Sequence, residues 1–144
     1  MMEAYFDNSA TTAPCCEAVK AVTEAMTQSW GNPSSLHAVG NRANELLENS
    51  RKDIAARLSC SPEEIFFTSG GTESNNLALM GAAYQMRRMG RRIVSTSIEH
   101  SSIDDTLNHL EADGFEIIRL RVDSYGRVNE KDLYAAVNSN TILI

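Results

Sequence analysis

The sequence has 144 residues, of which 42% are hydrophobic and 22% charged, with a formal net charge of −6. That length suits one ordinary domain, and the balance is that of a globular protein in water. The acidic surplus removes any electrostatic case for nucleic acid or an anionic membrane as a partner.

The N-terminus, Met-Met-Glu-Ala-Tyr-Phe-Asp, lacks the basic stretch and apolar core of a signal peptide. The longest apolar run, Leu77 to Tyr84, falls far short of the about 20 residues that span a bilayer. A cytoplasmic protein is expected. Pro14 suits a first helical turn, and Val19, Val22 and Met26 recur at helical spacing to about Gln28. Cys15 and Cys16 open this helix. With Cys60 they make three cysteines, an odd number without metal-ligand spacing, so reduced structural thiols are expected. Gly31-Asn32-Pro33 breaks the chain. Ser34 or Ser35 then caps a second helix with the stripe Leu36, Val39, Ala43, Leu46, Leu47, Ile54 and Leu58. Ser61-Pro62-Glu63-Glu64 reads as a short capped turn.

Ile65-Phe66-Phe67-Thr68 reads as a compact strand, followed by Ser69-Gly70-Gly71-Thr72 and a helix to Met89, with Gly90 as its stop. Arg87, Arg88, Arg91 and Arg92 flank that helix end as a solvated basic face. Arg92 to Ile98 is a second strand. Past His100, Ser101 and Asp104 fit a capping box, and the helix they open ends near Gly114. Phe115 to Val122 is a third strand, Asp123 to Gly126 a turn, and Asn129 to Val137 a short helix. Thr141-Ile142-Leu143-Ile144 reads as the start of a buried parallel strand with no turn after it, so the sequence is expected to be incomplete. The alternation of helix and strand predicts an α/β fold.

The strand–Ser-Gly-Gly-Thr–helix unit carries the first chemistry. Glycines let a ligand approach the backbone, and a helix entrance offers amide N–H groups at the positive end of its dipole. Gly70, Gly71 and the Thr72 hydroxyl thus form a phosphate cradle. The pattern is neither a dinucleotide fingerprint nor a Walker loop. His100 lies just past the end of the next strand, on the side where open α/β sheets bind ligands. Its imidazole suits stacking on an aromatic cofactor ring or moving a proton. His37 is a weaker candidate, and His109 is expected to face solvent.

Four segments occur in an order that resembles cysteine desulfurases, which are class V aminotransferase-like, fold-type I pyridoxal 5′-phosphate (PLP) enzymes. They are Asp7-Asn8-Ser9-Ala10-Thr11-Thr12, Gly31-Asn32-Pro33-Ser34-Ser35 with His37, Phe67 to Asn76, and Glu99-His100. The resemblance covers essentially all 144 residues. It implies an incomplete large PLP-binding domain, a mainly parallel sheet with flanking helices, in which residues 1–13 would join the small domain. It implies that Gly71 and Thr72, with Gly70, bind the PLP phosphate and that His100 stacks on the pyridine ring. It places the Gly31–Ser35 loop near the active site. The implied reaction is L-cysteine to L-alanine, with the sulfur passed to the enzyme as a persulfide for iron–sulfur clusters or thiolated cofactors. The implied partners are L-cysteine, a sulfur acceptor or scaffold protein and a second copy in a homodimer.

PLP chemistry also needs a lysine for covalent attachment and an acid opposite the pyridine nitrogen. The lysines here, Lys20, Lys52 and Lys131, lie on predicted helices among polar neighbours. By the resemblance, the attaching lysine, that acid, the persulfide-forming cysteine and the carboxylate-binding arginine all lie further along a complete chain. These 144 residues by themselves are therefore expected not to turn over. A selenocysteine lyase or another class V enzyme, a non-catalytic fragment and an unrelated phosphate-binding α/β domain remain as alternatives.

Overall fold

Two helices lead the chain. In a computed structural model that describes residues 4–144, α1 spans Cys16–Gln28 and α2 spans Ala38–Leu58. A single 3₁₀ turn, Pro62–Glu64, follows, and the Glu64 carboxylate accepts the Ser61 amide at 2.7 Å, as a capped turn requires. Then come α3 (Gly71–Met86), β1 (Arg92–Thr96), α4 (Ser101–Ala112), β2 (Glu116–Leu120), α5 (Glu130–Ala136) and β3 (Thr141–Leu143). The chain divides into two compact units, Met1–Phe66 and Phe67–Ile144.

In the first unit, α2 starts later than its sequence suggests. Its cap is His37, whose ring nitrogen accepts the Gly40 amide at 3.2 Å, and not Ser34 or Ser35. The serines are drawn into the preceding turn, where Ser34 donates its amide to Asn32 Oδ1 at 2.9 Å. Leu36 therefore falls outside the helix and is 97% exposed. Of the expected stripe, Ala43 is buried.

The second unit holds the sheet. Its order is β2-β1-β3, and both pairings are parallel. Successive residues of β1 point to opposite faces. Ile93 joins Leu107, Leu110, Phe115, Ile117 and Ala83 in a core with Met80 and Tyr84 of α3 packed against it. Its neighbour Val94 packs with Leu120 and Ala136 on the other face. Helices α3 and α4 thus cover one face and α5 the other, which confirms the α/β expectation of a parallel sheet with flanking helices.

Three expectations about this unit change. Ile65 to Thr68 is not a strand. Among the described residues it is extended but joins no strand ladder, and Phe66 is 73% exposed. Apolar, β-branched composition reports burial propensity, whereas a strand also needs a hydrogen-bonding neighbour. Helix α3 ends at Met86, so Gly90 is not its stop. Gly114 plays that part for α4, at φ +87°. The arginines are not one solvated face either. Arg91 sits over the Phe115 ring at 5.5 Å, and Arg92 pairs with Glu116 directly across the β1–β2 ladder at 2.7 Å.

That ladder pair has a pH consequence. The Arg92 guanidinium hydrogen-bonds Glu116 and holds its carboxyl below the usual value of 4.5. The Arg127 amide and then the Tyr125 amide do the same for Asp123. A carboxyl lowered in the folded state stabilises the fold above its unfolded pKa, and that stability is lost as pH falls through the folded value. Thermal midpoints are therefore expected to hold steady from neutrality to about pH 5 and to fall below it. Glu116→Gln should flatten the fall when melts are followed by circular dichroism; an unchanged acid slope counts against the pairing.

Candidate functional site

The loop before α3 is tied to its own first turn. Ser69 donates both its amide and its hydroxyl to Glu73 Oε2, each at 2.6 Å. The Thr68 hydroxyl lies 2.6 Å from Ser74 Oγ and 3.1 Å from the Gly70 carbonyl. Apart from the Ser69 amide, these bonds do not draw on the backbone amides at the helix entrance. The first turn of a helix leaves amide N–H groups without intrahelical partners. The earliest return bond of α3 is Ser74 N–H to the Gly70 carbonyl, at 3.1 Å. A Cβ built on Gly70 or Gly71 would meet nothing within 4 Å. The backbone is open to approach at both glycines, and the 16-residue helix behind them supplies a dipole. Ser69 also holds the Glu73 carboxyl below its usual range, first through the hydroxyl and then through the amide. Beside the loop, a groove of about 590 Å³ runs along α3 from Ser69 and Thr72 to Tyr84.

His100 reaches the same end of the unit through helix packing. Asn75 bonds Ser102 at 2.9 Å, Asn76 bonds Thr106, and Tyr84 bonds Asp113. Partners that rise together along both chains mean that α3 and α4 lie side by side in the same direction. Their entrances, Gly71 and His100, therefore share one end of the layer. That end is also where β1 finishes at Thr96, whose hydroxyl donates to Glu99 Oε1 at 2.6 Å and fixes the link into α4. His100 caps α4 itself: its Nδ1 accepts the Ser102 amide at 3.1 Å. The expected Ser101–Asp104 capping box does not form. Asp104 instead accepts from Arg119 Nε at 2.8 Å.

The remaining polar candidates belong to other elements. His37 caps α2 in the first unit. His109 faces solvent, with its Nε2 3.8 Å from Asp113. Lys20, Lys52 and Lys131 are exposed on α1, α2 and α5. Cys15 and Cys16 are exposed free thiols and Cys60 is half-buried. Sequence reading missed Ser69, Glu73, Asn75 and Ser102. A Ser-to-Glu spacing across a glycine pair was a visible signal for the loop brace. The Asn75–Ser102 contact, 27 positions apart, had none.

A parallel α/β layer whose helix entrances gather at the strand C-termini is an architecture suited to an anionic ligand. The chain belongs to the aminotransferase class-V family, whose sequence model matches residues 4–144. It is 50% identical over 140 residues to a NifS/IcsS protein homolog of Lactobacillus delbrueckii subsp. bulgaricus, covering 97% of this chain and 36% of that protein. It is 44% identical to the cysteine desulfurase IscS of Methanosarcina thermophila, covering 97% of this chain and 35% of that one. A solved NifS-like protein superposes with a TM-score of 0.88 at 37% identity, over 97% of this chain and 38% of its own. The resemblance to cysteine desulfurases is thus borne out. The chain spans about a third of the length of these relatives.

Proposed function

We propose that this chain is the cofactor-anchoring part of a PLP-dependent cysteine desulfurase. One observation carries the reading: the Gly70–Thr72 helix entrance and the His100 ring share one end of a parallel-helix layer. A phosphate fits the first, because the glycines are open and the amides of a first turn point outward. A flat ring fits the second, because His100 is exposed beside it.

In this reading Gly70 and Gly71 give backbone access, Thr72 adds a hydroxyl donor, and His100 covers the pyridine ring. The Ser69–Glu73 brace keeps the loop in shape before anything binds. Bound PLP supplies an electron sink for breaking bonds at the substrate Cα. In the complete enzyme L-cysteine and an enzyme thiol would give L-alanine and an enzyme persulfide, balanced in atoms and electrons. The acceptor of that sulfur, a homodimeric assembly, a cytoplasmic setting and a small domain joined by residues 1–13 belong to the same proposal. The attaching lysine is not assigned to any residue here, since Lys20, Lys52 and Lys131 sit on exposed helix faces.

The test separates binding from turnover. Equilibrium dialysis of the purified chain against PLP is expected to show saturable binding that inorganic phosphate competes away. Adding L-cysteine is expected to release no sulfide or alanine beyond a chain-free PLP control. If PLP does not bind but phosphate does, an unrelated phosphate-binding domain is the better reading. Sulfide release that depends on the chain would overturn the expectation that these residues cannot turn over alone.

A further inference from the structure

The ring of His100 is held by more than its place at a helix entrance. Its Nδ1 accepts the Ser102 amide at 3.1 Å and lies 2.9 Å from Ser102 Oγ. Ser102 is only 7% exposed, and its Oγ also meets Asn75 Nδ2 at 2.9 Å. Asn75 lies in α3, one turn beyond Gly71.

The directions of these bonds are linked. An amide N–H can only donate, so the nitrogen it meets carries a lone pair. Nδ1 of His100 is therefore unprotonated, and the neutral ring keeps its proton on Nε2. Asn75 Nδ2 is also a donor, so Ser102 Oγ accepts from it and is free to donate its own proton to Nδ1. The chain runs one way, from Asn75 to Ser102 to His100. With the amide of Asn75 turned over, its oxygen would take the Ser102 proton, and two acceptors would then face each other at Oγ and Nδ1.

We propose that Ser102 and Asn75 are positioning residues that lock His100 in one orientation and in the Nε2–H tautomer, so that the exposed edge of the ring offers a proton, not a lone pair. The proposal rests on the reading of His100 as a cofactor-facing residue. It adds that the helix of the phosphate cradle sets the histidine's state: Asn75 ties the two through a buried hydroxyl. His100 then meets a ligand as a stacking ring with a hydrogen-bond donor, already arranged before the ligand arrives.

The test reads the tautomer directly, in the chain with ¹⁵N-labelled histidine and no cofactor. Long-range ¹H–¹⁵N correlation spectra should show the His100 ring in a single Nε2–H form. Ser102→Ala removes one hydrogen-bond donor to Nδ1, so the Nδ1–H form should gain about three- to tenfold, the worth of a single neutral hydrogen bond. Ser102→Thr keeps a hydroxyl and should restore the wild-type ratio. Asn75→Ala should shift the ratio the same way by less, because the Ser102 hydroxyl keeps its proton but loses the group that aims it. Backbone amide spectra of each variant establish that the fold is kept. A wild-type ring in the Nδ1–H form, or an unchanged ratio in folded Ser102→Ala, would overturn the proposal. A final arm adds PLP. If the tautomers behave as expected but PLP moves no His100 resonance, the positioning role stands and the cofactor reading fails.

Discussion

Gly71→Asp is expected to weaken PLP binding severely while leaving the chain folded. A Cβ at this position would meet no atom within 4 Å, so the first side-chain carbon causes no clash. An acidic residue in a first helical turn also suits the dipole, as Glu73 already does. The same carboxylate would stand where the phosphate is to lie. Two like charges about 4 Å apart cost about 4 kcal/mol near a protein surface. Affinity should therefore fall by about two to three orders of magnitude. Gly71→Ala is the control for shape alone. It should weaken PLP by less and leave the melting midpoint unchanged or slightly raised, since alanine restricts the unfolded chain more than glycine does. Dialysis and thermal melts on the same samples separate the two effects. Full PLP affinity in folded Gly71→Asp would remove the cradle from the site.

The second large effect falls far from the site, at Gly90. Asn140 reaches back over the start of β1: its side chain accepts the Arg91 amide at 3.0 Å and its carbonyl accepts the Arg92 amide at 2.9 Å. This pulls two stretches of backbone together. A Cβ on Gly90 would lie 2.3 Å from the Asn140 carbonyl oxygen and 2.8 Å from its carbon. Backbone cannot swing aside as a flexible side chain can. Gly90→Ala is expected to destabilise the chain by about 2 kcal/mol, within the range of overpacked sites. The melting midpoint should drop by about 5 °C or more. PLP affinity measured well below that midpoint should not change. A Gly90→Ala chain as stable as the original would mean that Asn140 does not make this approach.

Gly90 also shows where sequence reading stops. A glycine after an apolar helical run reads as a helix stop, and Gly114 obeys that rule with φ +87°. Gly90 looks the same in the sequence, yet its reason is a residue 50 positions later. The Ile65–Thr68 segment teaches the same lesson from the other side. Its residues suit a strand, but pairing belongs to two segments and no single window of sequence contains both. Likewise Ser101 and Asp104 spell a capping box. Asp104 is taken by Arg119, 15 positions on, and the His100 ring makes the cap instead.

What the sequence determined by itself was local or periodic. Helical spacing, apolar runs and turn residues located α1 to α5 and the three strands to within a few residues, with one further strand expected that does not form, and the Ser-Gly-Gly-Thr unit announced an open helix entrance. The family resemblance rested on motifs that can be read in order along the chain. The tertiary structure alone decided the β2-β1-β3 order, the parallel packing of α3 on α4 and the Asn75–Ser102–His100 chain. The physical reason is range. Helix periodicity and turn chemistry are fixed by neighbours a few residues away, whereas strand order, close approach and the aim of the His100 ring depend on which distant surfaces bury each other.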